Sequence, residues 1–243
     1  PSGFDGAEPH TVVVTPGDQD GTLTVLDPPL GEHELAAGDF AAAWTSHKPG
    51  RHHLLAVTET EVASPASLEA PIRDALATTV AHLTGPVLGN SFDVNFGFSG
   101  MAKLAAELRD DRSRKGWAKR FADPAGHAHA MRRLVECLEQ QYTAPAATRP
   151  LYADFLLEAA ATLVQAAPDL GQAAELLRAS GRSWSALAQS AATAGPEPPD
   201  QAGTREWCDR AAELVQASLA AEQSAAELLS GPAVTGGAAG LPS

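Results

Sequence analysis

The stretch PHTVVVTPGDQDGTLTVLDPP, from Pro9 to Pro29, decides the fold of the N-terminal part of the chain. Two runs rich in β-branched residues, 10–15 and 22–27, flank GDQDG, a five-residue segment of turn-forming Asp and Gly. Such runs favour extended strands, and a short turn between them makes the strands antiparallel neighbours. The sequence therefore predicts a β-hairpin at the start of the chain.

This hairpin brings a histidine and an aspartate to the same end. Side chains alternate between the two faces of a strand, so His10 shares a face with Val12 and Val14, and Asp27 shares a face with Val25. A carboxylate beside an imidazole fixes its tautomer, and the imidazole can then serve a nucleophile as general base. His10 and Asp27 are therefore candidate catalytic residues. The alternative is a surface histidine and an aspartate that only begins the DPP turn.

The apolar period changes from that of strands to that of helices near residue 64. Helical periodicity then continues to about residue 230 between Gly, Pro and Asp-Pro breaks. The fold class predicted is α+β, with a short helix at 36–46 and a further strand at 52–59 in the first part. The predicted domains are a β-rich segment, 1–63, an all-α helical domain, 64–230, and a small, polar, disordered tail, 231–243.

Composition narrows the class of protein. Hydrophobic residues make up 44% of the 243, which is enough for a sizeable core, and the net charge of −13 argues against nucleic-acid binding. Cys137 and Cys208 are the only cysteines, so the sequence predicts no metal site and a reducing, cytoplasmic location. No apolar run approaches the roughly 20 residues that cross a bilayer, so no membrane association is predicted.

Two resemblances indicate a function. The run HTVVVTPGDQDGTLTVLDP resembles the His–Asp half of papain-like cysteine enzymes. The segments GNSFDVNFGFSGMAKLAAELRDD, KGWAKRFADP and TRPLYADFLLEAA are similar to the helical domain of the butirosin-biosynthesis protein H (BtrH)-like family, whose N-terminal domain resembles a papain-like fold. The fold implied is the antiparallel β half of a papain-like domain followed by an all-α domain.

The resemblance also implies an activity. The family resembled contains a thiol-dependent acyltransferase of antibiotic biosynthesis, which moves an aminoacyl group from an acyl carrier protein to a small-molecule amine. His10 is then expected to be general base and acid, and Asp27 to orient it. No cofactor is expected beyond the phosphopantetheinyl arm that carries the acyl donor. A hydrolase (cysteine peptidase-like) or cyclase of the same catalytic type, and a non-catalytic interaction protein, remain alternatives.

The nucleophilic cysteine is the missing part of this catalytic set. In enzymes of the type resembled, that cysteine precedes the histidine, yet only nine residues precede His10. Cys137 and Cys208 both fall in predicted helices, away from that position. We therefore expect the nucleophile in an N-terminal half or on a second chain, with proteolytic cleavage or loss of catalysis as alternatives.

Two further groups of residues are candidate binding sites. Nine of the seventeen basic residues lie between Lys103 and Arg133, which predicts a docking surface for an acidic carrier protein, or else a solvated helical face. The docking residues predicted are Arg109, Arg112, Arg114, Lys115, Lys119 and Arg120.

The residues predicted to bind substrate are Arg149, Tyr152, Glu158 and Asn95. Arg149 and Tyr152 share a helix face, and Asn95 lies in a loop before a helix. The alternative is a core helix anchored by one buried ion pair. Homo-oligomerisation through the Ala-rich helix at 211–229 is left open.

Overall fold

A computed structural model describes residues 12–27, 31–45, 55–56, 63–140, 145–195 and 197–236. The chain divides into two compact units, Pro1–Val62 and Ala63–Ser243. A small antiparallel sheet occupies the first unit and helices make up the second, so the predicted α+β class is confirmed.

The predicted hairpin is present in the N-terminal unit. Strands β1 (Val13–Pro16) and β2 (Thr22–Asp27) pair antiparallel, with Val14 opposite Val25. Gly21 closes the turn with φ +80°, a left-handed conformation that glycine adopts without strain.

A third strand, which the sequence analysis missed, completes the sheet. Strand β3 (Gly31–Ala36) pairs with the other edge of β2, giving the order β1-β2-β3. The sequence analysis placed no strand between Asp27 and the helix predicted at 36–46. The predicted short helix follows as α1 (Ala37–Thr45). Except for residues 55 and 56, the strand predicted at 52–59 lies outside the described residues.

Most of the described part of the C-terminal unit is helical. Its helices are α2 (Pro65–Thr84), α3 (Gly97–Arg109), α4 (Trp117–Arg120), α5 (Pro124–Val135), α6 (Arg149–Thr162), α7 (Ala167–Thr193), α8 (Gln201–Leu229) and α9 (Pro232–Thr235). A π-helical turn, Glu136–Gln140, extends α5. The described helices include none that is both long and apolar enough to cross a bilayer.

The core of the helical unit is built mainly from alanine and leucine, as expected for a chain with 5% aromatic residues. Helices α6, α7 and α8 pack on one another through fully buried side chains such as Leu156, Leu170 and Ala212. A second cluster surrounds Trp184 and Val215, and Met131 belongs to a third. Alanine at buried helix positions lets the long helices α7 and α8 approach closely.

The tail prediction is wrong for its first residues. Pro232–Thr235 forms a helical turn, and Val234 is buried against the core formed with α6 and α7. Arg73 of α2 donates hydrogen bonds to the carbonyl oxygens of Ala233 and Val234, which fixes the turn. The small, polar composition of this segment gave no indication of the turn. Its stability depends on one buried valine and on an arginine far away in the sequence. Residues 237–243 lie outside the described residues.

Candidate functional site

The hairpin carries one of the two predicted catalytic residues within the described part of the chain. Asp27 ends β2, is half-buried, and pairs in register with Gly31 of β3. Because Val14 lies opposite Val25, both valines share one face of the sheet, and Asp27 shares that face by alternation. His10 lies outside the described residues.

The structure does not bring the four predicted substrate-binding residues together. Glu158 is exposed on α6, and Asn95 accepts a hydrogen bond of 2.6 Å from Lys103 Nζ in the turn before α3. Tyr152 packs against Phe155, with ring centroids 5.4 Å apart, and burial raises the pKa of its hydroxyl. None of the four lines the aromatic cavity described below.

Arg149 instead belongs to a buried cluster with Ser180, Trp184 and Glu222, which we call the Glu222 cluster. Its guanidinium makes a bidentate ion pair with Glu222 of α8, at 2.8 and 2.9 Å, and Glu222 is only 1% exposed. The same carboxylate accepts hydrogen bonds from Ser180 Oγ at 2.6 Å and Trp184 Nε1 at 3.3 Å. The four groups satisfy one another, so the cluster ties α6, α7 and α8 together, as in the buried-ion-pair alternative.

The backbone before α6 is shaped to receive the same arginine. Ala146, Ala147 and Thr148 all have positive φ, which is uncommon for residues that carry a Cβ. Arg149 Nη1 donates a hydrogen bond of 2.7 Å to the carbonyl oxygen of Ala147. Glu139 accepts one of 3.2 Å from the Ala146 backbone N–H. Side chains therefore hold this strained turn at both ends.

Six predicted docking residues lie on the basic loop, which we define as residues 109–120. The carboxylate of Asp110 organises it by accepting hydrogen bonds from the Ser113 hydroxyl and from two backbone N–H groups. These hydrogen bonds lower the pKa of Asp110 to about 2. A Cβ at Gly116 would collide with the Asp110 carbonyl oxygen, so this tight turn requires glycine.

The cations of the basic loop face solvent. The Arg112 side chain is 97% exposed, and Lys119 Nζ donates a hydrogen bond of 2.5 Å to the Arg112 carbonyl oxygen. Arg120 lies over the ring of Phe121, 5.4 Å from its centroid. Arg109, Arg114 and Lys115 are also exposed. A rigid turn thus presents a cluster of positive charge on a chain of net charge −13.

Beside this loop lies a cavity of about 250 Å³, which we call the aromatic cavity. Trp117 of α4 stacks on Trp207 of α8, with centroids 6.1 Å apart and planes 16° from parallel, and meets Phe121 edge-on at 5.0 Å. The lining residues are Trp117, Ala118, Phe121, His127, Met131, Ala194, Pro199, Gly203, Thr204, Glu206, Trp207, Cys208 and Arg210.

Two ring nitrogens of this lining lack hydrogen-bond partners. His127 is 6% exposed, and its Nε2 atom is buried without a partner among the described residues. Trp207 Nε1 is also buried and has no hydrogen-bond partner among these residues. Burial lowers the pKa of His127, against a smaller opposite effect of Glu197, which favours a neutral imidazole. Buried polar atoms in proteins are normally hydrogen-bonded, so two unpaired ring nitrogens among the residues of one cavity call for an explanation.

The two cysteines lie in different surroundings. Cys208 lines the aromatic cavity, and burial raises the pKa of its thiol to about 11, so it stays protonated near neutral pH. Cys137 lies in the π-helical turn after α5, where its sulfur accepts a hydrogen bond of 3.1 Å from Arg133 Nη2. The described residues contain no cluster of three or more His, Cys, Asp or Glu that could hold a metal ion.

The sequence analysis missed both the Glu222 cluster and the aromatic cavity. It assigned no binding role to His127 or Trp207. One signal was present: Trp117 and Phe121 are four residues apart, on one helical face, in a chain with few aromatic residues. Their partner Trp207 comes from a distant helix, and no local spacing predicts that contact.

The fold and these sites define a two-unit α+β protein whose helical unit carries an aromatic cavity next to a rigid basic loop. The chain belongs to the family described as a domain of unknown function, DUF4872, whose model matches residues 38–240. The match begins within α1 and extends through the helical unit. No curated protein matches the chain.

Proposed function

We propose that this chain carries the base and the helical domain of a thiol-dependent acyltransferase, which moves an acyl or aminoacyl group from an acyl carrier protein to a small-molecule amine. One observation carries the proposal, namely the register of the hairpin. Continuing the pairing of Val13 with Leu26 by one residue sets Asp27 opposite Val12. The proposal extends the same alternation two residues further to His10, which it takes as the diagonal neighbour of Asp27.

Diagonal neighbours on one face of an antiparallel pair are roughly 7–8 Å apart at Cα, within reach of a histidine and an aspartate. In the proposed mechanism Asp27 accepts a hydrogen bond from the imidazole of His10 and holds its tautomer. The imidazole takes the proton of the thiol nucleophile, whose sulfur attacks the carrier thioester. The imidazolium gives that proton to the departing carrier thiol, which leaves the acyl group on the cysteine as a thioester. The neutral imidazole then accepts a proton from the amine that attacks this thioester and returns it to the cysteine sulfur as the amide forms.

The nucleophile in this proposal is a cysteine outside the printed sequence, on an N-terminal half or a second chain. Cys208 is set aside by its buried thiol and raised pKa. Cys137 is set aside because it follows His10 in the sequence, whereas enzymes of the type resembled place the nucleophile before the histidine. The proposal therefore includes a protein partner that completes the catalytic set. Two isolated cysteines and their thiol chemistry support a cytoplasmic location.

The basic loop is the proposed docking surface for the carrier protein. Carrier proteins of this type are acidic, and exposed cations on a rigid turn attract such a partner without a large entropic loss. The opposite charge also speeds encounter at low ionic strength. Arg112 and Lys115 are the residues whose replacement by glutamate is expected to slow loading most.

The experiment uses the protein as isolated from its own cells, with an aminoacyl-loaded carrier protein and an aminoglycoside as amine. Mass spectrometry separates the amide product from the free acid that hydrolysis gives and from an internally cyclised product. We expect amide formation, and a loss of about 10²–10⁴-fold in His10→Ala, as for removal of a general base.

Asp20→Asn is the matched control for Asp27→Asn, because Asp20 lies exposed in the hairpin turn. We expect only the Asp27 variant to be slow. Full activity of His10→Ala would remove the histidine from the mechanism. Free acid or cyclised product in place of the amide would favour the hydrolase or cyclase. No turnover alongside tight carrier binding would favour a non-catalytic interaction protein.

A further inference from the structure

The aromatic cavity has the chemistry of a ligand site that the proposed acyl transfer does not use. Its walls combine the stacked rings of Trp117 and Trp207, the edge of Phe121 and the side chain of Met131. Two of its lining residues, His127 and Trp207, each carry a buried ring nitrogen with no hydrogen-bond partner among the described residues. Ligand sites typically show this pattern of apolar walls with a few polar groups.

We propose that the aromatic cavity binds a small, uncharged molecule that joins a flat apolar body to a hydrogen-bond acceptor, of which a carboxamide is the simplest example. Such a ligand buries its ring against Trp117 and Phe121. Its oxygen accepts a hydrogen bond from Trp207 Nε1. Its amide N–H can pair with His127 Nε2.

The need for an acceptor follows from Trp207. An indole N–H can only donate, so a ligand without an acceptor leaves this group buried and unpaired. His127 Nε2 can donate or accept, depending on the tautomer of the neutral ring. A carboxamide offers both a carbonyl oxygen and N–H donors, and it suits the pair in either tautomer.

We infer an uncharged ligand from the charges of the lining residues. The two charged residues of the lining, Glu206 and Arg210, pair with each other at 3.3 Å and are both exposed. Neither sign of charge is therefore in excess among the lining residues. Burial already favours the neutral form of His127, and a buried ligand charge would lack a partner there.

Size and shape follow from the volume and the rings. A cavity of about 250 Å³ lies below the roughly 300–1,000 Å³ typical of drug-sized ligand pockets, so the ligand is small. The rings of Trp117 and Phe121 meet edge-on, so two walls of the cavity are steeply inclined to each other. A single planar ring can stack against one wall and meet the edge of the other.

A matched series of four probes tests the proposal on the full chain: benzamide, benzoate, benzylamine and toluene. They share one ring and differ in the polar group. Binding is followed by NMR through the indole N–H resonances of the four tryptophans, with Trp207 assigned from Trp207→Phe. We expect benzamide to shift the Trp207 resonance saturably while the Trp184 resonance, whose N–H is bonded to Glu222, stays in place.

The other probes are expected to bind at least about tenfold more weakly than benzamide, because toluene leaves Trp207 unpaired and the two ions bury an unpaired charge. Trp207→Phe keeps an aromatic ring but lacks the N–H, so it should weaken benzamide about tenfold and leave toluene unchanged. Ala194→Leu fills the cavity and should abolish binding of every probe. Ala192→Leu, at an exposed position in the last turn of α7, is its matched control.

Three results would overturn the proposal. Tightest binding by benzylamine or benzoate would show a site for an ion. Equal binding of toluene and benzamide, with no effect of Trp207→Phe, would show a merely apolar cavity. Failure of all four probes to move the Trp207 resonance at millimolar concentration would show a hydrated cavity that binds no ligand of this class. Circular dichroism on each variant confirms that it has folded.

Discussion

Different interactions stabilise the sheet of the first unit and the helices of the second. In the sheet, backbone pairing joins three short strands, and Val25 is the only buried side chain among their described residues. In the helical unit, α6, α7 and α8 share a core of fully buried alanine and leucine side chains and a buried ion pair. The helical unit therefore contains its own source of stability, whereas the described strands expose apolar side chains such as Val13.

The variant expected to show this difference most strongly is Glu222→Ala. The change leaves the guanidinium of Arg149 without its carboxylate and removes the acceptor for Ser180 and Trp184. Removing one member of a buried ion pair typically costs about 3–5 kcal/mol of unfolding free energy, and we expect a loss in that range. Urea denaturation followed by far-UV circular dichroism measures it. The exposed pair of Asp154 with Arg178 is the control, and Asp154→Ala should change stability by less than about 1 kcal/mol. Equal losses in the two variants would contradict the comparison.

A pair of apolar truncations tests the two cores directly. Leu170 is fully buried in α7, so Leu170→Ala should lower the unfolding free energy by about 2–5 kcal/mol through lost burial and an added cavity. Val13 is 57% exposed in β1, so Val13→Ala should change it by no more than about 0.5 kcal/mol. The same denaturation experiment measures both. A large loss in Val13→Ala would show that this strand is covered in solution and that the sheet has a core of its own.

The same contrast explains what the sequence could predict. Helices α6, α7 and α8 follow from local apolar periodicity, and the hairpin follows from β-branched runs around an Asp-Gly turn. The pairing of Arg149 with Glu222 could not be predicted, because 73 residues separate the two and many carboxylates were possible partners. The missed strand β3 depends on pairing with β2, which the polar, exposed residues of β3 do not reveal.

The candidate sites divide in the same way. The basic loop is a local feature of sequence, and the structure adds only that Asp110 holds it rigid. The aromatic cavity needs Trp117 and Trp207 from helices far apart in the chain. It therefore becomes visible only once α8 packs against α4. Asp27 occupies an intermediate position, because strand pairing fixes its register in the sheet but not its chemistry.

Two glycines in the helical unit sharpen the comparison by acting in opposite directions. Gly97 begins α3 with φ +52°, and a Cβ there would lie 2.4 Å from the Leu83 carbonyl oxygen. Gly97→Ala should therefore lower the unfolding free energy by at least about 1–2 kcal/mol. Gly171 lies inside α7 with open space where its Cβ would be, so Gly171→Ala should raise it by about 0.5–1 kcal/mol. Thermal unfolding measures both, and a shift of the same sign in both variants would show that the local backbone does not determine the outcome.

The smallest expected effect is a pH dependence that separates a buried histidine from an exposed one. Burial lowers the pKa of His127 below its usual 6.5 in the folded protein, partly offset by Glu197. As the pH falls through 6.5, the unfolded chain takes up this proton before the folded chain does, so the unfolded state binds more protons. The stability that comes from the neutral imidazole is therefore fully present above pH 6.5 and is lost as the pH falls towards the folded pKa. Denaturation midpoints at a series of pH values should show a shallower acid dependence for His127→Leu than for the parent chain. His33→Leu, at an exposed position on β3, is measured alongside it as a surface substitution of the same kind. If the two variants shared one slope, His127 would be protonated as readily as a solvent-exposed histidine, and burial in the helical unit would have no electrostatic consequence.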